Sequence, residues 1–234
     1  MKNILLIFLL TISFRSFSQD MTSLVMKVKA KLDQVNDYEA EGRMKTDVAF
    51  IKAPVGRVKV YYKKPDKFRL KKDGGISLLP KGGVSVNMNS IFTASGFTAI
   101  GAGEAVINGV NTKVVKILPD DENSDIVLST MYIDEANLLV RKSTVTTKEN
   151  GTYTVEMSYG KFAQYGLPDK VVFSFNTKNY SLPKGITLEF DDEKPADNKL
   201  KNRKGKVEIT YTNYLINKGI SDAVFAKPGN GQGK

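Results

Sequence analysis

The chain has 234 residues, and its 35 Lys and Arg against 25 Asp and Glu give a formal net charge of +10. It contains no histidine and no cysteine, which excludes a Ser-His-Asp triad, a thiol nucleophile, a histidine zinc site and a disulfide framework. The composition therefore favours a binding protein, and we expect no enzyme activity, no metal and no cofactor.

Residues 1–18 have the pattern of a secretory signal peptide. A basic start at Lys2 is followed by an apolar run over 4–12 and by small residues before the end of the segment. The apolar run is about nine residues, whereas a helix needs roughly 20 to cross a bilayer. We expect cleavage near Ser18–Gln19, a periplasmic location and a soluble mature chain, 19–234, that forms a single domain.

The positive charge favours an anionic partner. Loss of the signal peptide would remove Lys2 and Arg15 and lower the formal charge from +10 to +8. A basic surface often binds nucleic acid, but an exported protein rarely meets any, so we expect no nucleic-acid partner. Anionic phospholipid or an acidic protein fits better. The alternative is that spread-out lysines simply keep the protein soluble.

Residues 21–35 predict an amphipathic helix. Their apolar residues recur at spacings of three, four and seven, with lysines on the opposite side. The apolar face carries little aromatic bulk, which favours a helix that packs on its own domain over one that lies on a membrane. The apolar residues are Leu24, Val25, Val28, Leu32 and Val35.

From Tyr38 onward the apolar residues recur at every second position, the period of strands that are wetted on one side. Val58, Val60 and Tyr62, which alternate with charged residues, are the clearest case. Short connections rich in turn residues separate the runs, so we expect an antiparallel meander. The strands are predicted near 38–50, 57–62, 67–70, 112–118, 126–133, 138–147, 152–159, 171–176, 185–190 and 207–212.

Two segments break this alternation. Residues 191–205 run from acidic to basic with almost no apolar content, which predicts a mobile charged loop. Residues Gly74–Gly103 carry seven glycines and one charge, Lys81, among many apolar side chains. They are either a pair of irregular buried strands or a movable lid over a hydrophobic cavity. Gly101–Gly103 is expected to be a turn.

The densest carboxylate cluster, Asp120, Asp121, Glu122 and Asp125, indicates an exposed hairpin tip. Its spacing lacks the central glycine and the distal glutamate of a calcium loop. We therefore assign it neither a metal nor acid-base chemistry.

One motif resembles a known family. Residues 61–68 read Tyr-Tyr-Lys-Lys-Pro-Asp-Lys-Phe, a hydrophobic strand that ends in a basic-basic-Pro-polar-x-Phe turn. Placed after one amphipathic helix, this motif resembles the bacterial periplasmic outer-membrane lipoprotein carriers and the outer-membrane lipoprotein-sorting proteins. Further segments similar to that family are Met131–Asp134, Leu138–Lys142, Gly151–Tyr153, Tyr165–Pro168 and Asp222–Phe225.

The resemblance implies an α+β, mainly β fold. Its curved antiparallel sheet forms an incomplete barrel, covered by the N-terminal amphipathic helix and a lid segment. The hollow of this half-barrel would take the acyl chains of lipoproteins or related lipids. The implied function is that of a monomeric carrier that shuttles them to the outer membrane, without catalysis, between inner- and outer-membrane transfer partners. The alternative is an envelope binding or sensor module that clamps a partner protein.

Two sets of residues follow from this interpretation. Proteobacterial carriers have an arginine before the proline that latches the lid, and Lys64 takes this place here, without the planar five-donor fork of arginine. Alternation and the resemblance together predict that the hydrophobic cavity is lined by Met44, Val58, Val60, Tyr62, Phe68, Leu70, Ile91, Phe92, Phe97, Tyr153, Val155, Met157, Phe173 and Phe175.

Overall fold

The structure is a computed structural model that describes residues 21–48, 55–73, 96–180 and 204–226. Outside them lie the predicted signal peptide, the strand near 185–190, residues 191–203 of the charged loop and residues 74–95 of the glycine-rich segment. No helix within the described ranges is both long enough and apolar enough to span a membrane.

The predicted amphipathic helix is present as α1, Met21–Leu32. Its buried residues are Leu24, Val25 and Val28, which confirms the predicted apolar stripe. The helix ends three residues earlier than expected, and Val35 is buried from the turn that follows it. The helix therefore presents one short apolar face to the rest of the protein.

Ten strands form one antiparallel sheet, in the order β3-β2-β1-β10-β9-β8-β7-β6-β5-β4. The edge strands β3 and β4 do not pair with each other, so the sheet is an open half-barrel and the predicted mainly β fold is confirmed. The strands are β1 Asp37–Val48, β2 Gly56–Lys63, β3 Lys67–Lys72, β4 Phe97–Ile107, β5 Val110–Pro119, β6 Ile126–Asp134, β7 Leu139–Thr147, β8 Gly151–Ser158, β9 Lys170–Tyr180 and β10 Lys204–Ile216.

The strands turn alternate side chains to an inner, apolar face and an outer, polar face, as the period of two requires. Directly opposed residues on the inner face form rows that cross the sheet. One row crosses seven strands and all of its members are at most 8 % exposed. Its members, from β1 to β5, are Thr46, Val207, Phe173, Val155, Ser143, Met131 and Val115.

One alternative for Gly74–Gly103, a pair of irregular buried strands, is met in part, because β4 begins at Phe97, although most of its residues are exposed. Gly101–Gly103 is not a turn but part of this strand, where the pairing with β5 shifts register between Gly101 and Glu104. Gly103 has φ of +91°, a conformation that glycine adopts at little cost. Because β4 is an edge strand with many exposed residues, its sequence lacks the alternation of a half-buried strand.

The other edge of the sheet, β3, is covered by a short 3₁₀ helix, η2, at Asp222–Phe225. Asp222 accepts bonds from Lys63 Nζ at 2.7 Å and forms an ion pair with Lys67 Nζ at 3.0 Å. Arg69 Nη1 donates to the carbonyl oxygen of Val224 at 2.8 Å. A covered edge cannot pair with the strand of another molecule.

Helix α1 lies over the β4 side of the inner face and reaches a second 3₁₀ helix, η1, at Ala163–Tyr165. Near its start, a Cβ on Gly101 would lie 3.3 Å from Met21 Cγ. Near its end, Lys31 Nζ donates to the carbonyl oxygen of Asn137 at 2.7 Å. The helix is thus fixed against β4 at its start and against the β6–β7 connection at its end.

Candidate ligand-binding face

The structure places all twelve described candidates for the cavity lining on the inner face. Nine are at most 5 % exposed: Met44, Val58, Val60, Tyr62, Tyr153, Val155, Met157, Phe173 and Phe175. Phe68, Leu70 and Phe97 are partly buried and pack against the same apolar core. Ile91 and Phe92 lie outside the described residues.

Strand pairing explains why these residues meet. On the β3 side, Tyr62 is opposite Phe68 and Val60 is opposite Leu70. Residues that are directly opposite in an antiparallel pair point to the same face. The strict alternation of each run therefore becomes one continuous apolar surface.

The centre of the inner face is aromatic. The ring centroids of Tyr153 and Phe173 are 5.1 Å apart, and those of Phe173 and Phe175 are 5.6 Å apart. Both distances are in the range of favourable aromatic pairs. The ring of Phe175 also lies over Gly205 of the next strand, which has no side chain to displace it.

A cluster of tyrosines on the same face was missed by the sequence analysis. Tyr38 lies 5.4 Å from Tyr62 and 5.4 Å from Tyr214, between ring centroids. Tyr211 lies 5.1 Å from Tyr214. All four side chains are at most 6 % exposed. We call Tyr38, Tyr62, Tyr211 and Tyr214 the tyrosine cluster.

A bulge in β10 assembles this cluster. The partner of Glu41 is Asn213 but the partner of Gly42 is Tyr211, so Thr212 is an extra residue in β10. Strict alternation would put Tyr211 and Tyr214 on opposite faces, whereas the bulge turns both inward. The one sequence feature that marks this bulge is the glycine at position 42. A Cβ there would lie only 2.5 Å from the carbonyl oxygen of Thr210.

The buried tyrosines are neutral hydrogen-bond donors. Burial is the main cause that raises the pKa of Tyr38, Tyr211 and Tyr214 above the usual value, and the neighbouring tyrosines add to the effect for Tyr38 and Tyr214. Tyr214 satisfies its hydroxyl by donating to the carbonyl oxygen of Pro168 at 2.7 Å. The inner face thus combines hydrocarbon with a few uncharged polar groups.

The outer face carries the charge. A groove of about 490 Å³ is lined by four cations, Arg43, Arg57, Lys59 and Lys71, together with Glu41, Asp73, Gly42, Val58 and Thr212. A second concavity, of about 540 Å³, is lined by two of the predicted cavity residues, Tyr153 and Phe175, together with mainly outward-facing residues such as Lys204, Lys206 and Asp47. The first groove is therefore charged, and the second lies where the inner face meets polar residues at the rim of the sheet.

Lys64, the latch candidate, contacts the segment that follows α1. Its Nζ donates to the carbonyl oxygen of Asp33 and, at 3.4 Å, to Asn36 Oδ1. The Asp33 carboxylate is 3.7 Å away. Lys64 therefore joins the turn between β2 and β3 to the end of the helix.

Two solved structures share this architecture. A DUF1329 family protein from Desulfovibrio piger is 13% identical and has a TM-score of 0.52, with 87% of this chain and 95% of that chain covered. A domain assigned to outer membrane lipoprotein sorting, from Vibrio parahaemolyticus, is 11% identical with a TM-score of 0.51, and 87% of this chain and 94% of that one are covered.

No family model matches the sequence, and neither does any curated protein. The likeness is therefore one of fold, carried by the half-barrel over almost the full length of both structures. The fold expected from the resemblance is confirmed: this chain folds like an outer membrane lipoprotein-sorting domain.

Proposed function

We propose that this protein is a monomeric periplasmic carrier that holds the acyl chains of lipoproteins or related lipids against the inner face of its sheet. It passes them from an inner-membrane donor to the outer membrane without catalysis. The observation that carries this proposal is the continuous apolar face of the open half-barrel, in which one row of opposed inner residues crosses seven of the ten strands.

In the folded chain this face is covered: its candidate residues on β1, β2, β8 and β9 are at most 5 % exposed. A carrier must therefore uncover the face to load. An uncovered apolar face needs an apolar partner, because soluble monomers rarely expose patches above a few hundred Å². Acyl chains supply such a partner in a form that can be exchanged.

The energetics suit a carrier. Burial of an acyl chain is worth about 0.8 kcal/mol per methylene, so a chain of sixteen carbons offers on the order of 10 kcal/mol before ordering costs are subtracted. Such binding needs shape and hydrocarbon, and the twelve described candidates provide both. The fold shared with a lipoprotein-sorting domain and the predicted signal peptide also support the proposal.

Native mass spectrometry of protein purified gently from the bacterial envelope tests the proposal. We expect a bound lipid or lipopeptide, which chloroform–methanol extraction removes. Leu70→Asn, on the inner side of the edge strand β3, should reduce acyl-chain capture severalfold. Lys71→Asn, the outward-facing neighbour, should not. Protein that neither retains nor takes up any acyl ligand would refute the carrier function.

The same preparation distinguishes the alternative of a clamp on a partner protein. In that case one protein should co-purify in a stoichiometric amount, and lipid extraction should leave the complex intact. Both Leu70→Asn and Lys71→Asn can be compared in this assay, because a clamp that uses the inner face would lose its protein partner with Leu70→Asn alone.

A further inference from the structure

Buried polar groups are unevenly satisfied across the inner face. On β5, β6 and β7 they pair internally: Ser129 Oγ and Ser143 Oγ are 3.1 Å apart, and Thr112 Oγ1 donates to the carbonyl oxygen of Ala105 at 2.7 Å. We call the inner sides of β1, β2, β3 and β10 the tyrosine half. There, the hydroxyls of Tyr38 and Tyr211 are buried and have no hydrogen-bond partner among the described residues.

This lack of partners is costly. A buried hydroxyl without a hydrogen bond loses its hydration and gains nothing in return, so native proteins rarely tolerate one. Tyr38 is 2 % exposed and Tyr211 is 6 % exposed, and both rings lie within 5.4 Å of the ring of Tyr214. Both donors lack an acceptor within the described residues, and a ligand on this face can supply one.

Two further polar atoms of the tyrosine half are in the same condition. Thr46 Oγ1 and Lys72 Nζ are buried without a partner in the described part of the chain. Lys72 is opposite Val58 and therefore on the inner face. Thr46 is eight residues from Tyr38 along β1, so it lies far from the tyrosine cluster, and the inference therefore rests on the hydroxyls of Tyr38 and Tyr211 alone.

We propose that the hydroxyls of Tyr38 and Tyr211 bind the acyl carbonyl oxygens at the polar end of the ligand, the ester or amide groups that join its chains to the head. This inference deepens the proposed carrier function and rests on it. The hydrocarbon chains then extend over the centre of the inner face, along Phe173 and Phe175. A ligand held in this way is recognised by its linkage as well as by its apolar volume.

Neutral donors fit this chemistry. An uncharged carbonyl oxygen can be moved from water into an apolar site if it gains a hydrogen bond, whereas an anion would need a paired charge. Burial holds the pKa of Tyr38 and of Tyr211 above the usual value, so both keep their protons at any physiological pH. The two side chains can therefore donate but do not ionise.

The test compares two phosphatidylcholines of equal chain length, one with ester and one with ether linkages, by calorimetric titration below their critical micelle concentrations. Wild-type protein should bind the diester roughly tenfold more tightly than the diether. Tyr38→Phe and Tyr211→Phe should each reduce this preference, and the double variant should abolish it without changing the affinity for the diether. Tyr159→Phe, whose hydroxyl donates to the carbonyl oxygen of Val140 at 2.8 Å, is the matched control and should keep the preference.

The ligand-free proteins give an independent readout. Loss of an unsatisfied hydroxyl should leave the unfolding midpoint of Tyr38→Phe and Tyr211→Phe unchanged or higher, while Tyr159→Phe should lower it because Val140 loses its donor. If Tyr38→Phe and Tyr211→Phe instead lower the midpoint as Tyr159→Phe does, and the ester preference persists, the hydroxyls serve the fold and the inference is wrong.

The outcomes separate the inference from the function on which it rests. Equal binding of diester and diether by wild-type protein would overturn the inference and leave the carrier function standing. If neither the phosphatidylcholines nor the acylated glycerylcysteine peptides bind, both the inference and the carrier function are overturned. The titration is repeated with glycerylcysteine peptides that carry the same chains through ester or ether linkages. If the diester peptide binds more tightly than the diester phosphatidylcholine, the carbonyl groups come from a lipoprotein, and the reverse order indicates a phospholipid.

Discussion

The ring of Phe175 lies directly over Gly205 of the neighbouring strand, so that a Cβ at position 205 would come within 2.3 Å of Phe175 Cζ. The ring has little room to move, because it is 5 % exposed and packs against Phe173. The glycine thus determines where the aromatic centre of the inner face sits.

Gly205→Ala should therefore destabilise the protein by about 2 kcal/mol, as overpacking of a filled core does. Chemical denaturation followed by circular dichroism measures the effect. Lys204→Ala, one residue earlier and exposed, is the control and should change the stability by less than about 0.5 kcal/mol. An unchanged midpoint for Gly205→Ala would mean that Phe175 moves freely and that this part of the face is loosely packed.

The ion pair between Asp134 and Arg141 should make part of the stability depend on pH. Burial alone would raise the pKa of Asp134, but hydrogen bonds from Arg141 and Asn137 outweigh it and hold that pKa below 3.8. Arg141 Nη2 is 2.6 Å from Asp134 Oδ2. A carboxylate with a lowered pKa contributes stability that is present above about pH 4 and is lost as the pH falls through its folded-state value.

Arg141→Met should cost about 3 kcal/mol at pH 7, because it leaves a buried carboxylate without its cation. The difference from wild type should shrink as the pH is lowered below 4, where Asp134 becomes protonated in both proteins. Lys142→Met, whose Nζ is 4.0 Å from Glu156, is the control with a weak, solvent-screened pair. Urea midpoints measured from pH 3 to pH 7 test this prediction. A difference between wild type and Arg141→Met that stays constant down to pH 3 would contradict it.

The inner face was predictable from the sequence because alternate residues of a strand point to opposite faces. Val58, Val60 and Tyr62 alternate with charged residues, and no knowledge of the strand order is needed to put them on one side. Phe173 and Phe175 follow the same rule. The antiparallel meander was predicted from the short connections and the incomplete barrel from the resemblance. The pairing of β1 with β10 was not predicted, since local patterns do not specify which distant strands become neighbours.

The tyrosine cluster could not be predicted in the same way, because a bulge interrupts the alternation of side chains within one strand. Thr212 is the extra residue, and it turns Tyr211 and Tyr214 to the same side. The extent of β4 was not predicted for a related reason: every residue from Ile100 to Glu104 is exposed, so this edge strand has no alternation to detect there. Irregular pairing and exposure thus set the limit of what the sequence predicts.

Lys72 should lower the stability of the ligand-free protein. Burial lowers the pKa of Lys72, and its Nζ has no partner among the described residues. Lys72→Met should therefore raise the free energy of unfolding by about 1 kcal/mol at pH 7. A lowered lysine pKa means that the unfolded chain binds more protons between the folded-state pKa and 10.5, so wild-type stability recovers in that range as the pH rises.

The gain from Lys72→Met should accordingly shrink as the pH approaches 10.5. Lys71→Met tests the neighbouring, outward-facing lysine, whose Nζ is 5.3 Å from the centre of the Tyr61 ring, and it should not raise the free energy of unfolding at pH 7. Thermal unfolding at several pH values provides the comparison. A loss of stability in Lys72→Met would show that the ammonium group has a partner in solution.

Lys64 should stabilise the end of α1 and have little effect on the stability of the sheet. Its Nζ contacts the carbonyl oxygen of Asp33 and the carboxylate of the same residue at 3.7 Å, directly after the last turn of the helix. Lys64→Met removes these contacts, and because the ion pair is partly exposed the loss of global stability should stay below about 1 kcal/mol. Amide hydrogen exchange over 21–35 should nevertheless become faster, while exchange in β8 and β9 stays unchanged.

Lys67→Met is the matched control. Lys67 contacts Asp222 at the same turn, so its loss should leave hydrogen exchange in the helix unaffected. Equal exchange over 21–35 in wild type and Lys64→Met would show that Lys64 does not act as a latch.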